Sequence, residues 1–178
     1  MSDEESLAAL FLSSVPRPPA LGGGLATPEL GRKLTELWQR GVAAWPEVHL
    51  EASRFIAHLG LKWPEDTQLG GYLAELHSDD LYLACACVHG VPAALLALDK
   101  SVLQHVPAFV ARIDSSSAFA DEIKQLLREK LLLTQDGAPP KIAEYSGSGP
   151  LLGWLRVVAY RTALNLRRGR DPHQFWRM

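Results

Sequence analysis

The chain has few cysteines and no long hydrophobic run in its 178 residues. Its two cysteines, Cys85 and Cys87, are too few for the disulfide framework of a small secreted protein. No apolar stretch approaches the ~20 residues that a membrane-spanning helix requires. The opening residues, Met-Ser-Asp-Glu-Glu, are acidic where a signal peptide is basic. These absences predict a cytoplasmic protein that has no membrane partner.

The sequence also lacks the residue sets on which catalysis and metal binding depend. No serine–histidine or cysteine–histidine set has a suggestive spacing, and no phosphate-binding fingerprint occurs. Cys85, Cys87 and His89 come nearest to a metal site, but the two cysteines would point about 200° apart on a helix. Residues 77–80, His-Ser-Asp-Asp, are typical of a helix boundary rather than of an acid–base pair. We therefore predict a binding protein that is not an enzyme and uses no metal ion or cofactor.

Alternating strand patterns of useful length are absent as well. Apolar residues recur instead at helical spacing, in segments separated by Pro, Gly and Ser. The predicted helices cover roughly residues 27–45, 47–59, 65–77, 81–89, 92–106, 118–133 and 151–170. Pro107 must kink or split the helix before it, because a proline ring removes one backbone hydrogen bond and clashes one turn back. The sequence predicts an all-α fold, a helical bundle with short connections.

Negative charge is missing from one stretch near the end of the chain. Residues 1–140 hold 11 Lys and Arg against 18 Asp and Glu, whereas residues 141–178 hold 7 against 2. Between Leu151 and Arg170 there are five arginines and no acidic residue. A basic end on an acidic body predicts a localised anionic partner.

Helical periodicity sorts residues 151–170 into two faces at ~100° per residue. The predicted core seam contains Leu151, Leu155, Val158, Ala159, Thr162 and Leu166. The other side holds Arg156, Tyr160 and Arg167, next to a row of Trp154, Arg161 and Arg168. Arginines interleaved with aromatic rings suit phosphates and unstacked bases, so this side is predicted to bind nucleic acid.

Three motifs occur in order in the second half of the chain. They are His-Gly-Val-Pro-Ala-Ala-Leu at residues 89–95, Asp-Glu-Ile-Lys-Gln at residues 121–125, and the Tyr145-Ser146-Gly147 loop followed by Trp154-Leu155. Together they resemble region 2 of the bacterial sigma-70 family, in the style of its extracytoplasmic-function members. The first resembles the opening of that domain. The second is similar to its aspartate-leucine-valine-glutamine motif, with Glu122 where that family usually has Asp, and the third resembles its Phe-Arg-Gly and Trp-Leu elements. The three occur in the family's order and cover about half of the chain.

The resemblance implies a sigma factor that directs transcription initiation. RNA polymerase core would be bound at the clamp helices of its β′ subunit. Promoter DNA would be bound at the non-template strand of the minus-ten element, with one base extruded. The implied polymerase-binding residues are Glu122, Gln125, Arg128 and Glu129. The implied DNA-binding residues are Tyr145, Ser146, Gly147, Ser148, Trp154, Arg156, Tyr160, Arg161, Arg167 and Arg168. An anti-sigma factor is a further partner that the resemblance allows.

The resemblance also divides the chain into four parts. These are a flexible N-terminus and linker (1–26), an N-terminal helical extension outside the resemblance (27–78), the sigma region 2-like domain (79–170) and a C-terminal tail (171–178). A complete sigma factor has a further helix-turn-helix domain for the minus-35 element, which would follow Arg168. Because ten residues remain there, we expect a fragment or a protein that does not read minus-35 alone.

Some positions depart from the family's pattern. Arg161 stands where the family commonly has Asn, Asn165 where it commonly has Asp, and Ser146 where a basic residue is common.

The rival interpretation is a helical protein-interaction or regulatory module that does not bind DNA. A further hypothesis is that the acidic residues 1–78 fold back on the basic helix and mask it.

Overall fold

The structure, a computed structural model, describes residues 3–17, 27–134 and 137–170. The fold is all-α, as the sequence predicts, and these residues contain no β-strand. The helices are α1 (Asp3–Ser14), α2 (Thr27–Ala44), α3 (Ala52–Lys62), α4 (Leu69–Glu75), α5 (Ser78–Val88), α6 (Pro92–Ser101), α7 (Val106–Val110), α8 (Ser117–Leu132) and α9 (Leu151–Arg170). Two 3₁₀ helices, Leu103–His105 and Lys141–Glu144, lie before α7 and α9.

Helix α3 begins later than predicted because a buried tyrosine binds the backbone in front of it. The Tyr82 hydroxyl donates a hydrogen bond to the Val48 carbonyl at 2.8 Å and accepts one from the Leu50 amide at 3.0 Å. Residues 48–50 therefore lie outside any helix. Helix α4 is also shorter than predicted, since the Trp63 indole binds the Thr67 carbonyl and residues 64–67 form a turn.

The predicted interruption at Pro107 is confirmed. Helix α6 ends at Ser101, a 3₁₀ helix follows, and Pro107 lies in the first turn of α7. In that position the missing proline N–H removes no hydrogen bond, because the first amides of a helix have no partner within it.

Helix α5 lies at the centre of the fold. Every residue from Leu81 to Cys87 is buried, so no side of this stretch faces solvent. It packs against α2, α3, α6 and the second 3₁₀ helix. A single hydrophobic cluster extends from α1 to α9. The segments 27–78 and 79–170 therefore share one core.

The N-terminal segment, which was expected to be flexible with a short possible helix at Leu7–Leu12, contains a packed helix. Helix α1 lies on α2 and α3, and its Phe11 is fully buried with its ring 5.9 Å from that of Trp63. Residues 18–26, predicted as a linker, and residues 171–178, predicted as a tail, lie outside the described residues.

Helices α2 and α5 come into close contact at a glycine. A Cβ added to Gly41 would lie 2.4 Å from Cγ of Tyr82. The tyrosine cannot move aside freely, because its hydroxyl is hydrogen-bonded at residues 48 and 50. Gly41 therefore allows α2 to cover the central helix.

Gly41→Ala is expected to lower the free energy of unfolding by about 2 kcal/mol, the usual cost of overfilling a packed core. Urea unfolding followed by circular dichroism measures it. The matched control is Gly153→Ala, where a Cβ meets no atom within 4 Å. That change should instead raise stability by roughly 0.5–1 kcal/mol, since alanine is the better helix former. Equal stability of the two variants would contradict the close contact at Gly41.

Candidate nucleic-acid interface

The apolar seam predicted for α9 is the face that packs on the protein. Five of its six predicted members are buried and Leu166 is half-buried. Ala163, which the periodicity argument left out, is also fully buried. The seam packs against α7 and α8, so the opposite side of α9 faces solvent.

The exposed side of α9 carries the predicted arginines. Arg156, Arg161 and Arg168 are exposed, and they form no ion pair with the described residues. Tyr160 lies on the same side and is 44% exposed. This face thus offers three arginines that pair with no carboxylate among the described residues, next to an accessible aromatic ring.

Arg167 is engaged within the protein. Its guanidinium donates a hydrogen bond to Asp114 at 2.9 Å, which ties α9 to the turn before α8. Hydrogen bonds from Ser116, together with Arg167, hold the pKa of the Asp114 carboxyl below its ordinary value. Arg167 is therefore less available to a ligand than the other three arginines.

Tyr145 is buried, contrary to its predicted place on the DNA-binding surface. It is 2% exposed, and its hydroxyl donates a hydrogen bond to the Gly149 carbonyl at 2.6 Å. Burial raises the pKa of this phenol. Its ring lies 5.7 Å from that of Trp154, which is half-buried at the edge of the seam. Tyr145 therefore holds the loop from inside and cannot stack on a base.

Gly147 is also an internal contact. Its φ of 76° lies in the left-handed region that favours glycine, and a Cβ there would lie 2.9 Å from Cδ1 of Leu76. Its carbonyl accepts a hydrogen bond from the His77 amide at 2.9 Å. The close backbone contact that the glycine permits is thus with the turn before α5. The exposed residues of the loop are Ser146, Ser148 and Pro150, and the two serine hydroxyls lie 2.9 Å apart.

An acidic side chain from α5 caps α9. Oδ2 of Asp80 accepts a hydrogen bond from the Leu151 amide at 2.8 Å. Burial raises the pKa of this carboxyl, and the bond from Leu151 opposes that shift. The sequence argument assigned Asp80 to the start of its own helix and missed this contact. A local signal existed, because Pro150, which precedes α9, has no side-chain acceptor to cap that helix.

The predicted polymerase-binding residues lie along α8. Gln125 and Glu129 are exposed, and the Gln125 amide donates a hydrogen bond to Glu129 at 3.1 Å. Arg128 donates a hydrogen bond to Asp99 of α6 at 2.6 Å, and Glu122 is half-buried. Helix α8 packs directly on α9. The two candidate binding surfaces therefore belong to one packed unit.

The N-terminal helices do not cover the arginine face. Helices α1, α2 and α3 pack on one another, and α2 and α3 also pack on α5. Helix α4 belongs to the same hydrophobic cluster, and Arg156, Arg161 and Arg168 stay exposed. Within residues 3–17 and 27–78, no carboxylate pairs with these arginines. In the described part of residues 1–78, the structure therefore does not show these residues folded back on the arginine face of α9.

The two cysteines do not form a reactive or metal-binding site. Burial raises the pKa of both thiols to about 12, so both are protonated at neutral pH. In the described ranges, no group of three or more His, Cys, Asp or Glu could hold a metal ion. The same ranges contain no helix long and apolar enough to cross a membrane.

No model of a known protein family matches the chain, and neither a curated protein nor a solved structure is found to be similar to it. The assignment of a function therefore depends on the geometry of α8, α9 and the loop before α9, together with the motifs of the sequence.

Proposed function

We propose that this chain is the polymerase- and minus-ten-binding part of a sigma-70-family transcription initiation factor that acts in the cytoplasm. The observation that carries the proposal is the exposed arginine face of α9, which has no acidic residue and directly follows a loop anchored to the core. Its work is binding, with no chemical step. An anti-sigma factor would act by covering one of its two surfaces.

Single-stranded DNA is the anion that this face suits best. Arg156, Arg161 and Arg168 can each neutralise a phosphate, and Tyr160 offers a ring on which a base can stack. Ser146 and Ser148 supply hydrogen-bonding groups beside the start of α9. A duplex would use the arginines but not the exposed ring, so we expect the chain to prefer the unpaired strand.

The polymerase surface is proposed on α8, where Gln125 and Glu129 are exposed side by side. Glu122 and Arg128 flank them on the same helix, and Arg128 is oriented by Asp99. A polar face of this kind fits the side chains of a helical partner such as the β′ clamp helices.

Fluorescence anisotropy with a labelled single strand of randomised sequence, about 12 nucleotides long, tests the DNA assignment. With three unpaired arginines on phosphates, the logarithm of the affinity should fall with the logarithm of salt concentration with a slope of about −2. The same sequence pool as a duplex should bind more weakly. Binding that is absent, or that does not change with salt, would contradict the proposal.

The double change Gln125→Ala and Glu129→Lys tests the polymerase surface. We expect the affinity for a β′ clamp-helix fragment to fall about tenfold, roughly 1.4 kcal/mol, because the change removes one hydrogen-bonding group and reverses one charge. Isothermal titration calorimetry with the fragment measures it. DNA affinity should be unchanged in this variant. Unaltered fragment binding would exclude this part of α8 as the docking face.

A protein partner on α9 is the second candidate function, and one observation favours it. Leu152 and Val157 are 38% and 48% exposed on the same side as the arginines and Tyr160. Arginine, tyrosine and exposed aliphatic residues together are also typical of protein interfaces. The DNA titration separates the two, since a protein-interaction module would not bind the single strand.

A further inference from the structure

The loop between the second 3₁₀ helix and α9 is fastened at three points by residues that precede it by more than 60 positions. Just before the loop, within the 3₁₀ helix, Nζ of Lys62 donates a hydrogen bond to the Ala143 carbonyl. In its middle, the His77 amide donates to the Gly147 carbonyl at 2.9 Å. At its end, Oδ2 of Asp80 accepts from the Leu151 amide at 2.8 Å.

Two of these contacts come from the segment 27–78, which the motif resemblance does not cover. Lys62 is the last residue of α3, and His77 lies between α4 and α5. Leu76 of the same turn is buried directly under Gly147. The N-terminal helices and the start of α5 therefore form the surface on which the loop rests.

The loop has few contacts of its own that could hold it in this shape. Its internal side-chain hydrogen bonds are three: the Tyr145 hydroxyl donates to the Gly149 carbonyl, the hydroxyls of Ser146 and Ser148 pair, and the Ser148 amide donates to the Ser146 hydroxyl at 3.5 Å. Pro150 supplies no cap for α9, so without Asp80 the Leu151 amide would have no side-chain acceptor. The conformation of the loop thus depends on contacts that the rest of the protein supplies.

We propose that Lys62 and Asp80, with the backbone at His77, are positioning residues that hold the loop and the start of α9 in their DNA-binding conformation before any partner arrives. This inference rests on the proposed function and gives the N-terminal helices a role in it. Because the ordering is completed during folding, the strand does not have to order the loop when it binds. The free chain is therefore expected to bind the single strand without the clamp-helix fragment, and adding the fragment should change that affinity less than threefold.

The test uses the full chain and two readouts, one of which needs no DNA. The first is hydrogen exchange of the Leu151 amide, followed by NMR. The second is affinity for the labelled single strand. In Asp80→Ala we expect Leu151 to exchange at least tenfold faster, while amides of α5 between Leu81 and Cys87 keep their protection. DNA affinity should fall about tenfold.

Three further variants separate positioning from charge and from loss of folding. Asp80→Asn removes the charge but keeps an oxygen that accepts from Leu151, so it should restore slow exchange and most of the affinity. Asp79→Ala removes a neighbouring, exposed carboxylate and should leave both readouts unchanged. Lys62→Met removes the donor to Ala143 and should loosen the start of the loop, with a smaller loss of affinity. If Asp80→Ala does not fold, the Lys62→Met variant still tests the positioning role.

The outcomes distinguish this inference from the proposed function. Unchanged Leu151 exchange in Asp80→Ala would overturn the positioning role, whatever the DNA result. Faster exchange with unchanged affinity would also overturn it, because the strand would then not depend on the shape of the loop. If the unaltered chain binds no single strand, the proposed function fails, and the exchange data still report whether Asp80 holds the loop.

Discussion

Replacing Arg161 and Arg168 together by glutamate is expected to lower the affinity for single-stranded DNA at least a hundredfold, about 3 kcal/mol. Both side chains are exposed on α9 and pair with no carboxylate in the described part of the chain. Each change removes a phosphate contact and places a negative charge against the strand. The slope of the logarithm of affinity against the logarithm of salt concentration should become shallower. Its magnitude should drop from about 2 to less than about 1, because one unpaired arginine, Arg156, remains.

The matched control reverses two arginines elsewhere, Arg32→Glu and Arg54→Glu. Both are exposed on α2 and α3, in weak surface pairs with Glu36 and Glu51. This control changes the net charge by the same amount, so a purely long-range effect of charge would weaken DNA binding equally in both double variants. If both double variants lose DNA affinity equally, α9 is not the DNA interface. The same conclusion follows if the Arg161 and Arg168 variant loses no affinity. In both double variants, the midpoint of thermal unfolding and the affinity for the clamp-helix fragment should be near those of the unaltered chain.

Acid is expected to destabilise the protein through His58, by about 3 kcal/mol between pH 6.5 and pH 4. His58 is 9% exposed in α3, and its Nε2 has no hydrogen-bond partner among the described residues. Burial, with smaller effects of Lys62 and His89, lowers its pKa from 6.5 to about 4. The unfolded chain therefore takes up a proton below pH 6.5 that the folded chain takes up only near pH 4. Stability is lost as the pH falls through this window.

His58→Leu should remove this part of the acid sensitivity. Urea unfolding at pH 7, 5.5 and 4 measures it for the variant and the unaltered chain, which contain the same carboxylates. His49→Leu is the control, because His49 is exposed and lies outside the helices. If the unaltered chain and His58→Leu lose the same stability between pH 7 and pH 4, then His58 is not the group responsible.

The burial and exposure of the candidate-site residues agree with the prediction where the pattern was local and differ from it where it was not. The two faces of α9 follow from the 3.6-residue period alone, and five of the six predicted seam residues are buried. Ala163 is the buried residue that the period did not indicate. Tyr145 and Gly147 were assigned to the DNA surface on their place in a motif, yet both face inward. The partners of Gly147, Leu76 and His77, lie about 70 residues earlier in the chain, and no periodicity relates such distant positions.

The amino-acid sequence by itself determined the all-α class, the apolar and basic sides of α9 and the break at Pro107. These depend on the spacing of apolar residues and on proline's missing N–H, which act within a few turns of chain. The tertiary structure alone decided that α5 is the central helix, that α1 joins the core and that Asp80 caps α9. The physical reason is that burial and hydrogen-bond partners depend on which segments meet in space. A cap needs only an acceptor at about 3 Å, and the chain can supply that acceptor from any position that folding brings there.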